Sequence, residues 1–251
     1  MTGLLAAKTA IITGASRGLG KAVALGLAAE GADIVVNYLQ DAAAAEDTAE
    51  TIRSLGRRAY VIQADVAQRA DIRRMLAEAI AAFGCIDILV NNAGINKRGL
   101  FHEITDADWD LILDTNLKGP FICSQEIFPH MIEQGGGRII NMSSVASQYH
   151  GPKTVHYAVS KAGLNSLTKV LARYGAPHNI LINAVAPGQI LTDQTRDEFE
   201  SGAVKPLLDM TLLKRGGTEE DVVRACLYLA DPCQGYMTGQ VLAVSGGAYL
   251  G

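Results

Sequence analysis

"TGASRGLG", residues 13–20, can be read in two ways, and the choice between them decides the fold. Gly14, Ser16 and Gly18 fit G-x-S-x-G, the sharp turn that presents a nucleophilic serine in hydrolases. Gly14, Gly18 and Gly20 together fit a loop that wraps a phosphate. Placement separates the two. "KTAIITG" reads as a buried strand leading into the loop, and a helical pattern over residues 18–30 leads out of it. A serine elbow needs an oxyanion-hole donor from a loop after an earlier strand, and only one strand fits before Ser16. No acid–histidine pair stands out downstream. A strand, a glycine loop and a helix N-terminus instead offer free N–H groups and a positive dipole end to a pyrophosphate. The glycines permit the tight turn and the close approach. The spacing is G-x-x-x-G-x-G, not the commoner G-x-G-x-x-G, so the loop alone is a weak signal.

Beyond the loop, strand-like runs alternate with longer helical patterns. "ADIVVNY" is followed by an Ala-rich helix over 41–55, and "RAYVIQAD" by a helix through "DIRRMLAEAIAAF". "IDILVNNAG", "GRIINMSS", "ILINAVAPG" and "GQVLAVSGG" come later. Seven such strands predict a parallel sheet covered on both faces, with right-handed crossovers. "TDADWD", residues 105–110, reads as a helix start capped by Thr105 with acids in the first turn. The glycine of a calcium loop is absent from it. Residues 188–217 are less regular, and about 189–213 is a candidate substrate lid. No repeat or linker interrupts the chain, so residues 1–251 are read as one domain.

Composition narrows the function. The 251 residues are 49% hydrophobic and 19% charged, enough for a substantial core. With 22 basic and 26 acidic residues the formal charge is -4, which gives no footprint for nucleic acid. No apolar run approaches the ~20 residues of a membrane span. "MTGLLAAKTAIITG" has no basic leader, so no signal peptide is expected and a cytoplasmic protein is. The cysteines Cys85, Cys123, Cys226 and Cys233 form no C-x-x-C pair and are read as reduced, mostly buried thiols. The scattered histidines give no metal site.

Further motifs stand in order along the chain: Thr13-Gly14-x-x-x-Gly18-x-Gly20; Asp65-Val66; Asn91-Asn92-Ala93-Gly94; Asn116; Ser144; Tyr157-x-x-x-Lys161; Pro187-Gly188. With them the chain resembles the short-chain dehydrogenase/reductase family over essentially its whole length. It resembles in particular the 3-oxoacyl-acyl-carrier-protein-reductase-like branch, through "TGASRGLG", "YAVSKAGL", "NAVAPG" and "YMTGQVLAVSGG". Ser245 departs from the acid often found before Gly-Gly. The resemblance implies an α/β, Rossmann-type doubly wound fold whose seven-stranded parallel sheet has helices on both faces. It implies a nicotinamide cofactor held by Gly14, Ser16, Arg17, Gly18, Leu19, Gly20 and Tyr38, by Asp65 and Val66 at the adenine, and by Asn92, Ala93 and Gly94. Tyr157, Lys161, Pro187, Gly188, Ile190 and Thr192 complete that set.

Reducing a ketone needs a hydride donor, a proton donor and a support for the developing oxyanion. The resemblance assigns the proton to Tyr157. An unperturbed phenol titrates near ~10, and a nearby cation lowers that value. Lys161 lies four residues on, and i and i+4 share a helix face, so its ammonium is expected at the ring. Ser144 ends a strand, where such sheets face their ligand, and the family's spacing selects it over Ser143. Asn116 is implied as a fourth member that holds a water relaying protons toward the lysine. Tyr157 and Lys161 as an ordinary exposed pair is the bland alternative; their company argues against it. Ser166-x-x-Lys169 imitates a penicillin-binding motif without its partners and reads as helix surface.

An acid ending the second strand would bind a ribose 2′-OH and repel a 2′-phosphate. Asn37 and Tyr38 stand there instead, and Arg17 lies in the loop. NADP(H) is therefore expected as the preferred cofactor, with NAD(H) use left open. Acyl carrier protein needs a basic docking surface. Residues 133–136 and 177–179, where the family carries it, are short of Lys and Arg, which leaves that partner weakly supported. A small ketone, secondary alcohol or polyol is the preferred substrate. A 3-oxoacyl-acyl-carrier-protein reductase is the alternative, and a non-catalytic NADP-binding module a remote one. The family is usually tetrameric through the catalytic helix and the last strand, so a homotetramer is expected.

Overall fold

The computed structural model describes residues 3–148, 153–193 and 195–250. In chain order the strands are β1 (Thr9–Ile12), β2 (Asp33–Tyr38), β3 (Ala59–Gln63), β4 (Ile88–Asn91), β5 (Gly137–Met142), β6 (Ile180–Pro187), β7 (Ile190–Leu191), β8 (Gly217–Thr218) and β9 (Val241–Val244). The helices are α1 (Gly18–Ala29), α2 (Ala42–Ser54), α3 (Arg69–Phe83), α4 (Asp106–Leu113), α5 (Gly119–Glu133), α6 (Val155–Gly175), α7 (Arg196–Glu200), α8 (Lys205–Met210) and α9 (Glu219–Ala230). A five-residue π-turn, Asp114–Lys118, joins α4 to α5.

One seven-stranded sheet has the order β3-β2-β1-β4-β5-β6-β9, with every pairing parallel. Parallel neighbours need long crossovers, and the helices supply them. The strand sequences are almost purely apolar because both faces are covered. Alternation sorts them. Ala10 and Ile12 of β1 point to one core with α1, α2 and α9, through Leu27, Ile52 and Leu229. Ile11 points to the other, with α3 and α5, through Met75 and Ile127. Truncating a fully buried isoleucine such as Ile11 to alanine costs about 2–5 kcal/mol.

Winding runs outward in both directions from β1 and β4. Their C-terminal ends therefore leave a crevice at the switch point, where ligands bind in such sheets. The sequence did not foretell the small second sheet, β7 paired with β8, which anchors the base of the candidate lid. Thr105 caps α4 by accepting from the Asp108 amide at 3.1 Å, as read from the sequence. Ser166 and Lys169 lie exposed on α6. All four cysteines are free thiols. Burial pushes Cys123 and Cys226 up to about 12. "Mostly buried" fits only these two, since Cys85 is half-buried and Cys233 exposed. Among the described residues no helix is long and apolar enough to cross a membrane.

Candidate active site

A cleft of about 1050 Å³ opens at the switch point, between the loops that follow β1 and β4. The loop after β1 is shaped by backbone demands. Gly14 has φ +64, a left-handed conformation that side chains resist, and a Cβ there would meet Ala93 Cα at 3.0 Å. Gly20 passes closer still, and a Cβ would fall 2.2 Å from the Gly14 carbonyl oxygen. Asn92 ties the two loops together. Its Nδ2 donates to the carbonyls of Thr13 at 2.9 Å and Gly14 at 3.1 Å, and its own amide donates to Thr13 Oγ1 at 2.9 Å. The N-terminus of α1 has no side-chain cap, so its first N–H groups are offered to the cleft that Ser16, Arg17 and Leu19 line.

Asn37, which also lines the cleft, is built into this scaffold. Its side chain is buried. Oδ1 accepts from the Gly14 amide at 3.1 Å, while Nδ2 donates to the carbonyls of Ile62 at 3.3 Å and Ala64 at 3.1 Å. Tyr38 is the half-buried neighbour that faces the cleft. Asp65 and Val66 form the adjoining wall. Arg17 is exposed at the rim and makes no salt bridge among the described residues.

The opposite end carries the reactive side chains. Tyr157 and Lys161 sit one turn apart on α6, with Lys161 Nζ 5.7 Å from the centre of the Tyr157 ring. Lys161 is 4% exposed and Nζ donates to the Met142 carbonyl at 2.7 Å. Burial without a carboxylate partner lowers its pKa from 10.5 to about 8. Ser144 hydrogen-bonds the Tyr157 side chain and accepts from the Ala146 amide at 3.1 Å. Ser143 is turned away, donating to Asn165 Oδ1 at 2.6 Å. The lowering of the Tyr157 pKa expected from Lys161 does not hold. The Tyr157 phenol is raised above its ordinary value, because burial outweighs the opposing Ser144 hydrogen bond. The ammonium lies beside the ring, and its hydrogen bond goes to a backbone carbonyl.

Asn116 sits in the π-turn and is fully buried. Its Oδ1 accepts from the Ile95 amide and its Nδ2 donates to the Ile95 carbonyl, both at 2.8 Å. It is not on the cleft wall. A Cβ on Gly94 would lie 3.3 Å from Asn116 Oδ1 and 3.4 Å from Lys161 Nζ, so both groups flank the space above that glycine. Asn91 is a core strut, donating to Asn141 Oδ1 at 2.8 Å. Gly94, Pro187, Gly188, Ile190 and Thr192 all line the cleft. Gly18 does not; with φ +54 it opens α1 behind the loop. Sequence reasoning missed Met142, whose backbone oxygen holds Lys161, and the lining residues Ile95, Leu111, Gln189 and Thr195. A carbonyl acceptor leaves no side-chain signal. The segments 133–136 and 177–179 meet at the other end of the sheet, where Asn179 Nδ2 donates to the Gly135 carbonyl at 3.3 Å.

A family model described as short chain dehydrogenase matches residues 8–202. The chain belongs to the short-chain dehydrogenase/reductase family. It is 40% identical to a 3-oxoacyl-(acyl-carrier-protein) reductase of Staphylococcus epidermidis, over 97% of this chain and 99% of that one. It is 36% identical to glucose 1-dehydrogenase 2 of Bacillus subtilis, over 98% and 96% of the two. A putative short-chain alcohol dehydrogenase of Sinorhizobium meliloti superposes with a TM-score of 0.93 at 35% identity, over 97% of each chain. This short-chain dehydrogenase/reductase is therefore an oxidoreductase that acts on CH–OH or C=O groups with a nicotinamide cofactor. The cleft suits that cofactor on its own evidence, through an uncapped helix N-terminus and glycines where any Cβ would intrude.

Proposed function

We propose that this enzyme reduces a small ketone, or oxidises the matching secondary alcohol or polyol, with NADPH as its preferred nucleotide. The observation that carries this reading is the Ser144–Tyr157–Lys161 cluster on the wall of the switch-point cleft. A bound nicotinamide supplies or accepts the hydride. Ser144 and Tyr157 hold the carbonyl oxygen, and Tyr157 gives it a proton as charge builds. Burial raises the Tyr157 phenol above its ordinary value, which keeps the proton on its oxygen until the carbonyl takes it. Lys161, lowered to about 8, exchanges protons close to neutrality and can reach a ribose hydroxyl. Asn116 acts as a positioning residue through Ile95, and its Oδ1 can share a water with Lys161 above Gly94.

NADPH preference rests on Tyr38, in place of an acid, at the end of β2 and on Arg17 in the glycine loop. Tyr38, Leu39 and Gln40 line the adenine end of the cleft. The next residue, Asp41, is engaged in capping α2, accepting from the Ala44 amide at 3.0 Å. Arg17 is free to meet a 2′-phosphate. Steady-state kinetics with both nucleotides test this. NADH used as efficiently as NADPH, or an Arg17→Ala variant with unchanged NADPH affinity, would refute it.

The second reading, reduction of a carrier-bound 3-oxoacyl group, is favoured by the names of relatives such as that from Staphylococcus epidermidis. Charge speaks against it. Residues 189–213, proposed as the substrate lid, carry Asp193, Asp197, Glu198, Glu200 and Asp209 against Arg196 and Lys205. An acidic carrier would be repelled. Gln194 of that segment lies outside the described residues. Assaying an acetoacetyl thioester, free and carrier-bound, decides the matter, and a strong carrier advantage overturns the first reading. A homotetramer is proposed from the exposed Phe121, Val159 and Val170 on α5 and α6, and from β9 at the sheet edge. A monomer by mass measurement at micromolar concentration counts against it.

A further inference from the structure

The loop after β4 is fastened to four different elements. Ile95 is pinned by Asn116 of the π-turn. Lys97 pairs with Asp108 of α4 at 2.6 Å. The Gly99 amide donates to the Lys153 carbonyl, just before α6, at 3.0 Å. Arg98 meets Glu198 of α7 through two contacts, Nη1 to Oε1 and Nη2 to Oε2, each 3.0 Å. The first three fastenings fix the loop to the body of the enzyme. The fourth ties the loop to α7, which begins directly after Thr195 of the cleft lining. Ile95 and Asn96 line one wall of the cleft, while Gln189, Ile190, Thr192 and Thr195 line the other. Arg98 follows Ile95 and Asn96 in the chain and Glu198 follows Thr195, so the pair joins these two segments, 100 residues apart in sequence.

We propose that the Arg98–Glu198 pair is the latch that holds residues 196–210 closed over the cleft, and that ligands pass in and out when it breaks. The proposal rests on the reading of this segment as a lid. A forked guanidinium–carboxylate contact is the strongest form such a pair takes, because two parallel hydrogen bonds fix both partners in one geometry. Solvent reaches both side chains, so the latch is reversible. Its anchor is rigid, because the loop cannot follow α7 outward without breaking the bonds at Ile95, Lys97 and Gly99. Closure of the lid is thereby referred to the same Asn116 that flanks Lys161.

The test is a double-mutant cycle of Arg98→Ala, Glu198→Ala and both together, on the full-length enzyme with NADPH as the probe. Two readouts are needed: NADPH release by stopped-flow fluorescence, and hydrogen exchange of residues 196–210 without ligand. Each single variant is expected to release NADPH about two- to fivefold faster and to exchange faster in that segment, the range set by exposed ion pairs. The double variant is expected to be no faster than either single one, because the same contact is lost only once. Additive effects, or exchange and release equal to wild type in the singles, overturn the latch. The lid reading is checked separately in the wild-type protein. If NADPH leaves exchange of 196–210 unchanged, the lid reading fails and the latch with it. If NADPH slows exchange there but the cycle is additive, the latch alone fails.

Discussion

Replacing Asn37 with aspartate separates a structural role from a cofactor role at the end of β2. The two residues there, Asn37 and Tyr38, look equivalent in sequence. In the structure Asn37 Nδ2 donates to the carbonyls of Ile62 and Ala64 from a buried position, while Oδ1 receives the Gly14 amide. Asn37→Asp keeps the acceptor and removes the donor. If the introduced carboxyl ionises, both carbonyls lose their partner and face an anion. If it keeps a proton at pH 7, holding it about three units above an ordinary pKa near ~3.9 costs about 4 kcal/mol. One carbonyl still goes unmet, at about 1–3 kcal/mol. The second route is the milder, so the expected loss is about 5 kcal/mol, or about 10–20 °C in Tm for a chain of this size. The sign with pH follows from linkage. The carboxyl's folded pKa lies above its unfolded value, so the loss grows as pH rises and shrinks toward about 1–3 kcal/mol near pH 4. Thermal unfolding of both proteins across that range is the assay. Equal Tm values at pH 7, or a gap that widens toward acid, would refute the reasoning.

The remaining predictions concern single side chains. Tyr38→Asp puts an acid at the end of β2 and is expected to move the ratio of kcat/KM for NADH over NADPH upward by about tenfold or more. Lys161 is a buried cation whose folded pKa, about 8, lies below the 10.5 of the free side chain. Its protonation penalises the fold below pH 8, by about 3 kcal/mol, and the penalty is relieved as pH rises toward 10.5. Lys161→Met is expected to flatten that rise in denaturant stability while abolishing turnover. Thr218 forms a capping box with Asp221 at the start of α9. Thr218→Ala is expected to cost about 0.5–2 kcal/mol in unfolding free energy, with unchanged kcat.

Legibility in the sequence followed the range of the physics. The alternation of "KTAIITG", "ADIVVNY" and their successors with helical patterns is local, and it yielded the seven-stranded sheet. Tyr157 and Lys161 share a face because helical periodicity makes them do so, which four residues of spacing already say. The glycine loop could be placed because strand and helix flank it. What stayed hidden was set by tertiary contacts. In sequence Asn37, with Tyr38, only stands where a ribose-binding acid would be expected; that β3 and the glycine loop close around its amide is a tertiary fact. Asn116 could be matched by position, but its π-turn and its hold on Ile95 have no periodic signature. The upward shift of Tyr157 depends on burial by distant segments, whereas the expected downward shift was argued from one local neighbour. The β7–β8 pairing involves two residues on each side, too short for any strand pattern.

The central claim is that the Tyr157 hydroxyl, flanked by Ser144 and with the Lys161 ammonium beside its ring, passes the proton. Its most direct test is Tyr157→Phe, measured by NADPH binding and by nicotinamide absorbance during single turnover with the best carbonyl of a substrate panel. Binding within a few-fold of wild type together with a loss of about 10²–10⁴ in the hydride-transfer rate is predicted. Turnover within tenfold of wild type in a variant that still binds NADPH would contradict the account.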